Sequence, residues 1–111
     1  MSHSVLLKPK FKDVDVLKNA LVEFGFDTCV HNKELWVVMP TGSFAFAVDS
    51  EGNVRSDSTY VRSAEKLLGS GLAKLRISYA ERIARKQLAA MGVHKIRRRT
   101  IGTRVVLEAY A

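Results

Sequence analysis

The residues whose side chains could do covalent or metal chemistry are few. Cys29 is the single cysteine, and His31 follows two positions later, on the same face if this segment is a strand. Such a pair can begin a zinc site, but the other histidines, His3 and His94, show no ligand spacing. A nucleophilic cysteine needs an oriented base, and only His31 is a candidate. We therefore predict no catalytic residue, no metal site and no cofactor, and we expect Cys29 to be buried and unreactive.

Two further features, a glycine-rich segment and a tyrosine, could be mistaken for parts of a catalytic site. Gly69-Ser70-Gly71 lacks the preceding strand and the Gly-Lys-Ser/Thr ending of a phosphate-binding loop, so we interpret it as a break between helices. Tyr79 falls on an apolar stripe at helical spacing, which favours a position in the core. The acidic residues form no motif that indicates a paired acid and base. We predict that the protein is not an enzyme.

Positive charge is concentrated in the second half of the chain. The 111 residues carry a net charge of +7, but residues 1–54 sum to −2 and residues 55–111 sum to +9. Such asymmetry is a recognised indication of a polyanionic partner. The alternative is a basic protein without any such partner, because charge determines association and not fold.

The positively charged side chains are most concentrated in an arginine-rich segment near the end of the chain. If Ile101-Gly102 is a hairpin loop, Arg99 lies opposite Arg104, an unfavourable pairing unless an anion lies between them. Arginine binds phosphate in a two-pronged geometry, so we predict contacts with a nucleic-acid backbone, RNA or DNA. The candidate residues on this hairpin and on the basic face of the preceding helix are Arg97, Arg98, Arg99, Arg104, Arg82, Arg85 and Lys86. A solvated edge or a protein contact is the alternative.

An apolar sheet face predicts a second contact surface. A loop at residues 40–43 would pair Met39 with Phe44, Val37 with Phe46 and Leu35 with Val48 on the core face. The opposite face then carries Trp36, Val38, Ala45 and Ala47. We expect this face to bind a protein partner or to form a homodimer, because exposed apolar patches usually mark contacts. Alternatively, a terminal strand or the polar middle segment covers it, or Trp36 stacks on bases.

The elements that position these residues follow an α+β plan. Asp13 predicts the N-cap of a helix that ends before Gly25, and turn residues separate the strands that follow. Helical spacing recurs at 60–68 and 72–91, and the pattern at 4–11 predicts an edge strand or an extended lead-in. We predict one domain over residues 1–111, with an antiparallel sheet and one long and one or two shorter helices on one face. The predicted order is β-α-β-β-α-β-β.

Short motifs at the two ends of the chain form a recognisable set. They are Met1-Ser2-His3, the spacing of Asp13, Asp15, Leu17 and Ala20-Leu21, Gly25-Phe26, Tyr79-Ala80, Gln87-Leu88 and Gly92. In these motifs the chain resembles the family named after the thirty-fifth hypothetical chloroplast reading frame, a domain of unknown function in plastids, cyanobacteria, some bacteria and phages. The chain departs from the family after the last helix, where Lys95–Arg99 is basic. The resemblance implies no catalytic residues, and because some relatives are encoded near AAA+ ATPases it implies an accessory or adaptor role.

Composition also sets expectations for the location of the protein. No apolar stretch approaches the roughly 18 residues that span a bilayer, so we expect no membrane partner. The first residues lack the features of a secretion signal, and one cysteine is typical of a reducing compartment. We expect a protein of the cytoplasm, an organelle stroma or a host cytoplasm, and not a secreted one.

Overall fold

A computed structural model describes residues 10–56, 58–102 and 104–110. The elements in chain order are α1 (Val14–Glu23), β1 (Asp27–His31), β2 (Glu34–Val38), β3 (Phe44–Val48), β4 (Val54–Arg55), α2 (Ser58–Leu68), a 3-10 turn (Ser70–Leu72), α3 (Ala73–Ala90), β5 (Ile96–Ile101) and β6 (Arg104–Ala109). This mixture confirms the α+β class. The strand predicted at 4–11 lies mostly outside the described residues, and its last two positions are not a strand.

The strands form two antiparallel sheets and not one. The first has the order β1-β2-β3-β4, and the second contains only β5 and β6. Four strands therefore separate α1 from the next helix, where the predicted order had two. Two of these strands are absent from the predicted order. One of them, β4, is two residues long, too short to show an alternating pattern.

Helix α1 begins and ends at signals that the sequence contains. The carboxylate of Asp13 accepts a hydrogen bond from the backbone N–H of Val16 at 3.1 Å, as an N-cap does. At the other end Gly25 takes a positive φ of 83°, and the N–H of Phe26 returns to the carbonyl of Leu21. The predicted helix is confirmed because both caps are local.

The helices pack on one face of the four-stranded sheet. Phe11, Phe26 and Phe46 are among the largest fully buried side chains, and Tyr79 of α3 closes the core at 4% exposure. The core cluster comprises Phe11, Val16, Leu17, Ala20, Leu21, Phe26, Leu35, Val37, Met39, Ala45, Phe46, Val48, Ala64, Leu68, Leu72, Leu75 and Tyr79. The phenol oxygen of Tyr79 accepts from the backbone N–H of Asp13 at 3.0 Å, which ties α3 to the start of α1. The predicted core position of Tyr79 is confirmed.

An irregularity in the sheet changes which side chains share a face. Leu35 pairs with Val48 and Val37 with Phe46, as predicted, but Phe44 pairs with Val38 and not with Met39. The extra residue of this bulge is Ala45. Because a bulge shifts the alternation by one position, Phe44 moves to the face opposite the core.

Helix α3 is the longest helix, with 18 residues. It ends in a Schellman motif, in which Gly92 has a φ of 82° and the N–H of Val93 bonds to the carbonyl of Leu88 at 2.8 Å. No helix within the described ranges combines the length and apolar character that crossing a membrane requires.

Candidate nucleic-acid interface

Strands β5 and β6 form a hairpin that we call the arginine ribbon, residues 96–101 and 104–109. The chain reaches it directly after the Gly92 turn that ends α3. The backbone N–H of Tyr110 donates to the carbonyl of Lys95 at 3.0 Å, which closes the open end of the hairpin. β6 packs against α3. The ribbon is therefore attached to the helix layer and not to the larger sheet.

The register of the ribbon differs from the predicted one. Ile101 pairs with Arg104, and Arg99 pairs with Val106, so Arg99 and Arg104 do not lie opposite each other. The loop of the hairpin begins at Gly102, whose φ of 61° is a geometry that tight hairpin turns favour. Moving the loop by one residue shifts every partner by two positions but leaves each side chain on its predicted face. The argument that an anion must separate Arg99 from Arg104 is wrong.

The arginines of the ribbon alternate between two environments. Arg98 and Thr100 face α3, where they line a cavity of about 350 Å³. The other residues around that cavity are Glu23, Phe24, Lys74, Ile77, Ser78, Glu81 and Gly102. Because strand side chains alternate, Arg97 and Arg99 lie on the opposite, solvent-facing side of β5. The predicted cluster is thus split between an inner and an outer face.

The ribbon arginines have partners within the chain. Arg98 donates to the Glu81 carboxylate at 2.6 Å, which ties the inner face to α3. On the outer face Arg99 pairs diagonally with Glu108 at 3.0 Å, and the Arg97 guanidinium lies 5.4 Å from the centroid of the Tyr110 ring. The side chain of Arg104 is outside the part of the chain that the structure describes.

The three helix cations in the predicted site face acidic side chains of the helix layer. Arg82 pairs with Glu23 of α1 at 2.9 Å, and Arg85 lies 3.7 Å from Glu81. The third is Lys86, whose ammonium nitrogen lies 2.6 Å from Oδ2 of Asp13. Arg82 and Lys86 therefore link α3 to α1, and Arg85 pairs within α3. Sequence reasoning missed the partners of Arg82 and Lys86 because these acidic residues lie far away along the chain, whereas the i,i+4 pair of Arg85 with Glu81 is local.

The Lys86–Asp13 contact shifts the pKa of both groups. The hydrogen bond from Lys86 is the largest cause that lowers the pKa of the Asp13 carboxyl, and the backbone N–H of Val16 adds to it. Asp13 in turn raises the pKa of Lys86. Both shifts favour the charged forms, so the pair is ionised around neutral pH.

The second predicted surface, the sheet face that carries Trp36, contains different residues from those predicted. Ala45 and Ala47 are fully buried, Ala45 within the core cluster, while Trp36 and Val38 are half-buried. Phe44 joins Trp36 at 5.2 Å between ring centroids, a consequence of the bulge. His31 at 4.6 Å from Trp36 and Tyr60 at 5.7 Å from Phe44 extend an aromatic row over this face. Beside the row an ion pair joins Glu34 to Arg55, which lowers the pKa of the Glu34 carboxyl.

The reactive residues of the sequence do not form a site. Cys29 is exposed on β1, which corrects the expectation of a buried cysteine. Within residues 10–56, 58–102 and 104–110, no three histidine, cysteine or acidic side chains are grouped closely enough to hold a metal ion.

No family model, curated protein or solved structure matches the chain. The resemblance to the chloroplast reading-frame family therefore stays a prediction.

Proposed function

We propose that the protein binds the sugar-phosphate backbone of nucleic acid through the outer face of the arginine ribbon. The observation that carries this proposal is the exposure of Arg97 and Arg99 side by side on one strand, next to the exposed Lys95. Residues 73–110, which form α3 and the ribbon, contain ten basic and two acidic side chains. The internal ion pairs leave this region with a cationic surplus, and a polyanion is the partner that such a surplus attracts.

The spacing and chemistry of the outer face suit phosphate groups. Side chains two positions apart on a strand are about 6.6 Å apart, so Arg97 and Arg99 can contact different phosphate groups. The guanidinium group offers paired donors to phosphate oxygens. A two-stranded ribbon is also narrow enough to enter a major groove. Contacts of this kind supply affinity and orientation but no base preference, so we expect weak sequence discrimination.

The internal contacts of the ribbon arginines do not prevent phosphate binding. In the Arg99–Glu108 pair the side chains are 54% and 38% exposed. Exposed ion pairs contribute little to stability, so a phosphate can replace Glu108 at small cost. Arg98 differs, because it faces α3 and holds the ribbon to Glu81. We therefore narrow the binding residues to Lys95, Arg97 and Arg99. We assign Arg98 to positioning the ribbon, and Arg82, Arg85 and Lys86 to ion pairs within the helix layer.

Fluorescence anisotropy with short labelled RNA and DNA tests the proposal. The double variant Arg97→Gln/Arg99→Gln loses two phosphate contacts, and we expect its affinity to fall by roughly tenfold or more. The matched control is Arg62→Gln/Lys66→Gln, which removes the same charge from exposed positions on α2. We expect the control to bind within about twofold of the wild type. Equal losses of affinity in the two double variants would show that binding depends only on net charge and not on the ribbon. If the wild type bound neither RNA nor DNA, the proposal would be wrong.

A further inference from the structure

We propose that two copies of this chain pair through the outer edges of their β1 strands, with the twofold axis beside Cys29. β1 is an edge strand of the four-stranded sheet, and no described residue pairs with its outer side. Pairing of two such edges would join the sheets into one of eight strands. This inference does not depend on nucleic-acid binding, since the ribbon packs on α3 and not on this sheet.

The β1–β2 turn determines which backbone groups of β1 point outward. Asn32 and Lys33 have φ values of 49° and 64°, so they form the two-residue turn whose flanking residues share paired hydrogen bonds. The flanking pair is His31 with Glu34, and the alternation then directs the N–H and C=O of Cys29 toward β2 as well. The corresponding groups of Thr28 and Val30 point away from the sheet. Each copy thus offers two donors and two acceptors.

One antiparallel register satisfies all of these groups. If Thr28 pairs with the partner subunit's Val30, the symmetric pair forms as well, giving four backbone hydrogen bonds about the axis. In this register Asp27 lies opposite the partner subunit's His31, which brings an acidic group to a basic one. Cys29 then lies opposite the partner subunit's Cys29 as a non-hydrogen-bonded pair, with Cα atoms about 4.5 Å apart, within the range that a disulfide spans.

The side chains at this edge also favour contact with a second copy. Val30 is 67% exposed, and Val22 is 68% exposed on α1, the helix that packs beside β1. Covering these two valines would remove apolar surface from water. The opposite edge, β4, is only two residues long. The described chain also starts at that side of the sheet, because the N–H of Phe11 bonds to Gly52 in the β3–β4 turn.

Sedimentation equilibrium of the reduced full-length chain measures the association. We expect concentration-dependent dimerisation to twice the 12.4 kDa mass of one chain. Val30→Pro removes an outward N–H without removing a β1–β2 hydrogen bond, and Val30→Lys places a charge at the edge. We expect either variant to weaken dimerisation at least about tenfold, since each disturbs two symmetric contacts. Val14→Lys, at a 45% exposed valine of α1, is the control, and it should dimerise as the wild type does.

Oxidation with diamide tests the register. Two Cys29 thiols give up two protons and two electrons to diamide and join in a disulfide. We expect this cross-link to form at least about tenfold faster in the wild type than in Val30→Pro, because pairing raises the effective thiol concentration. Moving the cysteine by one position, in Cys29→Ser/Val30→Cys, should slow it as well. The proposal would be overturned if the wild type stayed monomeric at all concentrations, or if both Val30 variants still formed the dimer. In the first case the β1 edge would be available to a strand of another protein.

Discussion

Asp13 joins three parts of the molecule through separate atoms. Its Oδ1 accepts from the N–H of Val16, its Oδ2 binds Lys86, and its own N–H donates to Tyr79. Asparagine can keep the cap but loses the ion pair, whereas alanine loses both. We expect the Tm to fall in the order wild type, Asp13→Asn, Asp13→Ala, as measured by calorimetry near neutral pH. An Asn variant as unstable as the Ala variant would contradict the separate role of the cap.

The same residue predicts a dependence of stability on pH. Because folding lowers the pKa of Asp13, its contribution is complete above the carboxyl's unfolded pKa and disappears as the pH falls through the folded value. For Lys86, whose pKa is raised, the contribution is complete below the unfolded pKa and is lost as the pH rises through the folded value. Urea unfolding of the wild type and Asp13→Asn should therefore converge in acid. A constant difference at all pH values would contradict this assignment.

The positions of some single residues could be predicted from the sequence, and those of others could not. The cap at Asp13 and the core position of Tyr79 could be predicted, because one depends on neighbouring backbone and the other on helical spacing. The exposure of Cys29 could not, since it depends on β1 lying at an edge of the sheet. The acidic partners of Arg82 and Lys86 were missed for a similar reason, because only the fold brings α1 beside α3.

At the scale of elements, the β3–β4 turn depends on one glycine. Gly52 has a φ of 87°, and an added Cβ would lie 2.7 Å from the backbone nitrogen of Phe11. Gly42 in the β2–β3 turn has a similar φ of 93° but no atom within 4 Å of such a Cβ. Both alanine substitutions strain the backbone, but only Gly52→Ala also forces Phe11 to move. We expect Gly52→Ala to destabilise by about 1–3 kcal/mol more than Gly42→Ala in urea unfolding. Equal losses in the free energy of unfolding for the two variants would contradict the close approach of Gly52 to the backbone of Phe11.

The positions of most elements could be predicted, but their registers could not. Helix ends follow local caps, and the turn residues mark the strands, so α1, α3, β2 and β3 lie close to their predicted positions. The bulge at Ala45 and the pairing of Ile101 with Arg104 each shift a strand by an amount that local sequence does not determine. These shifts brought Phe44 onto the outer face of the sheet and moved Arg99 away from Arg104. Both candidate surfaces therefore differ in composition from the predicted ones.

At the scale of the whole molecule, charge and apolar surface lie on different layers. The ribbon is attached to α3, while the aromatic row and the edge strand β1 belong to the four-stranded sheet. The net charge of +7 and its concentration after residue 54 follow from the sequence alone. The internal ion pairs that engage Arg82, Lys86 and Arg98 follow only from the fold.

The salt dependence of nucleic-acid affinity tests the central claim most directly. If Lys95, Arg97 and Arg99 each contact one phosphate, the slope of log K against log salt concentration is about −2 to −3. Arg97→Gln/Arg99→Gln should reduce the magnitude of that slope by about 1.5, and Arg62→Gln/Lys66→Gln should leave it unchanged. A wild-type affinity that does not vary with salt, or a slope that both variants reduce equally, would contradict binding by the arginine ribbon.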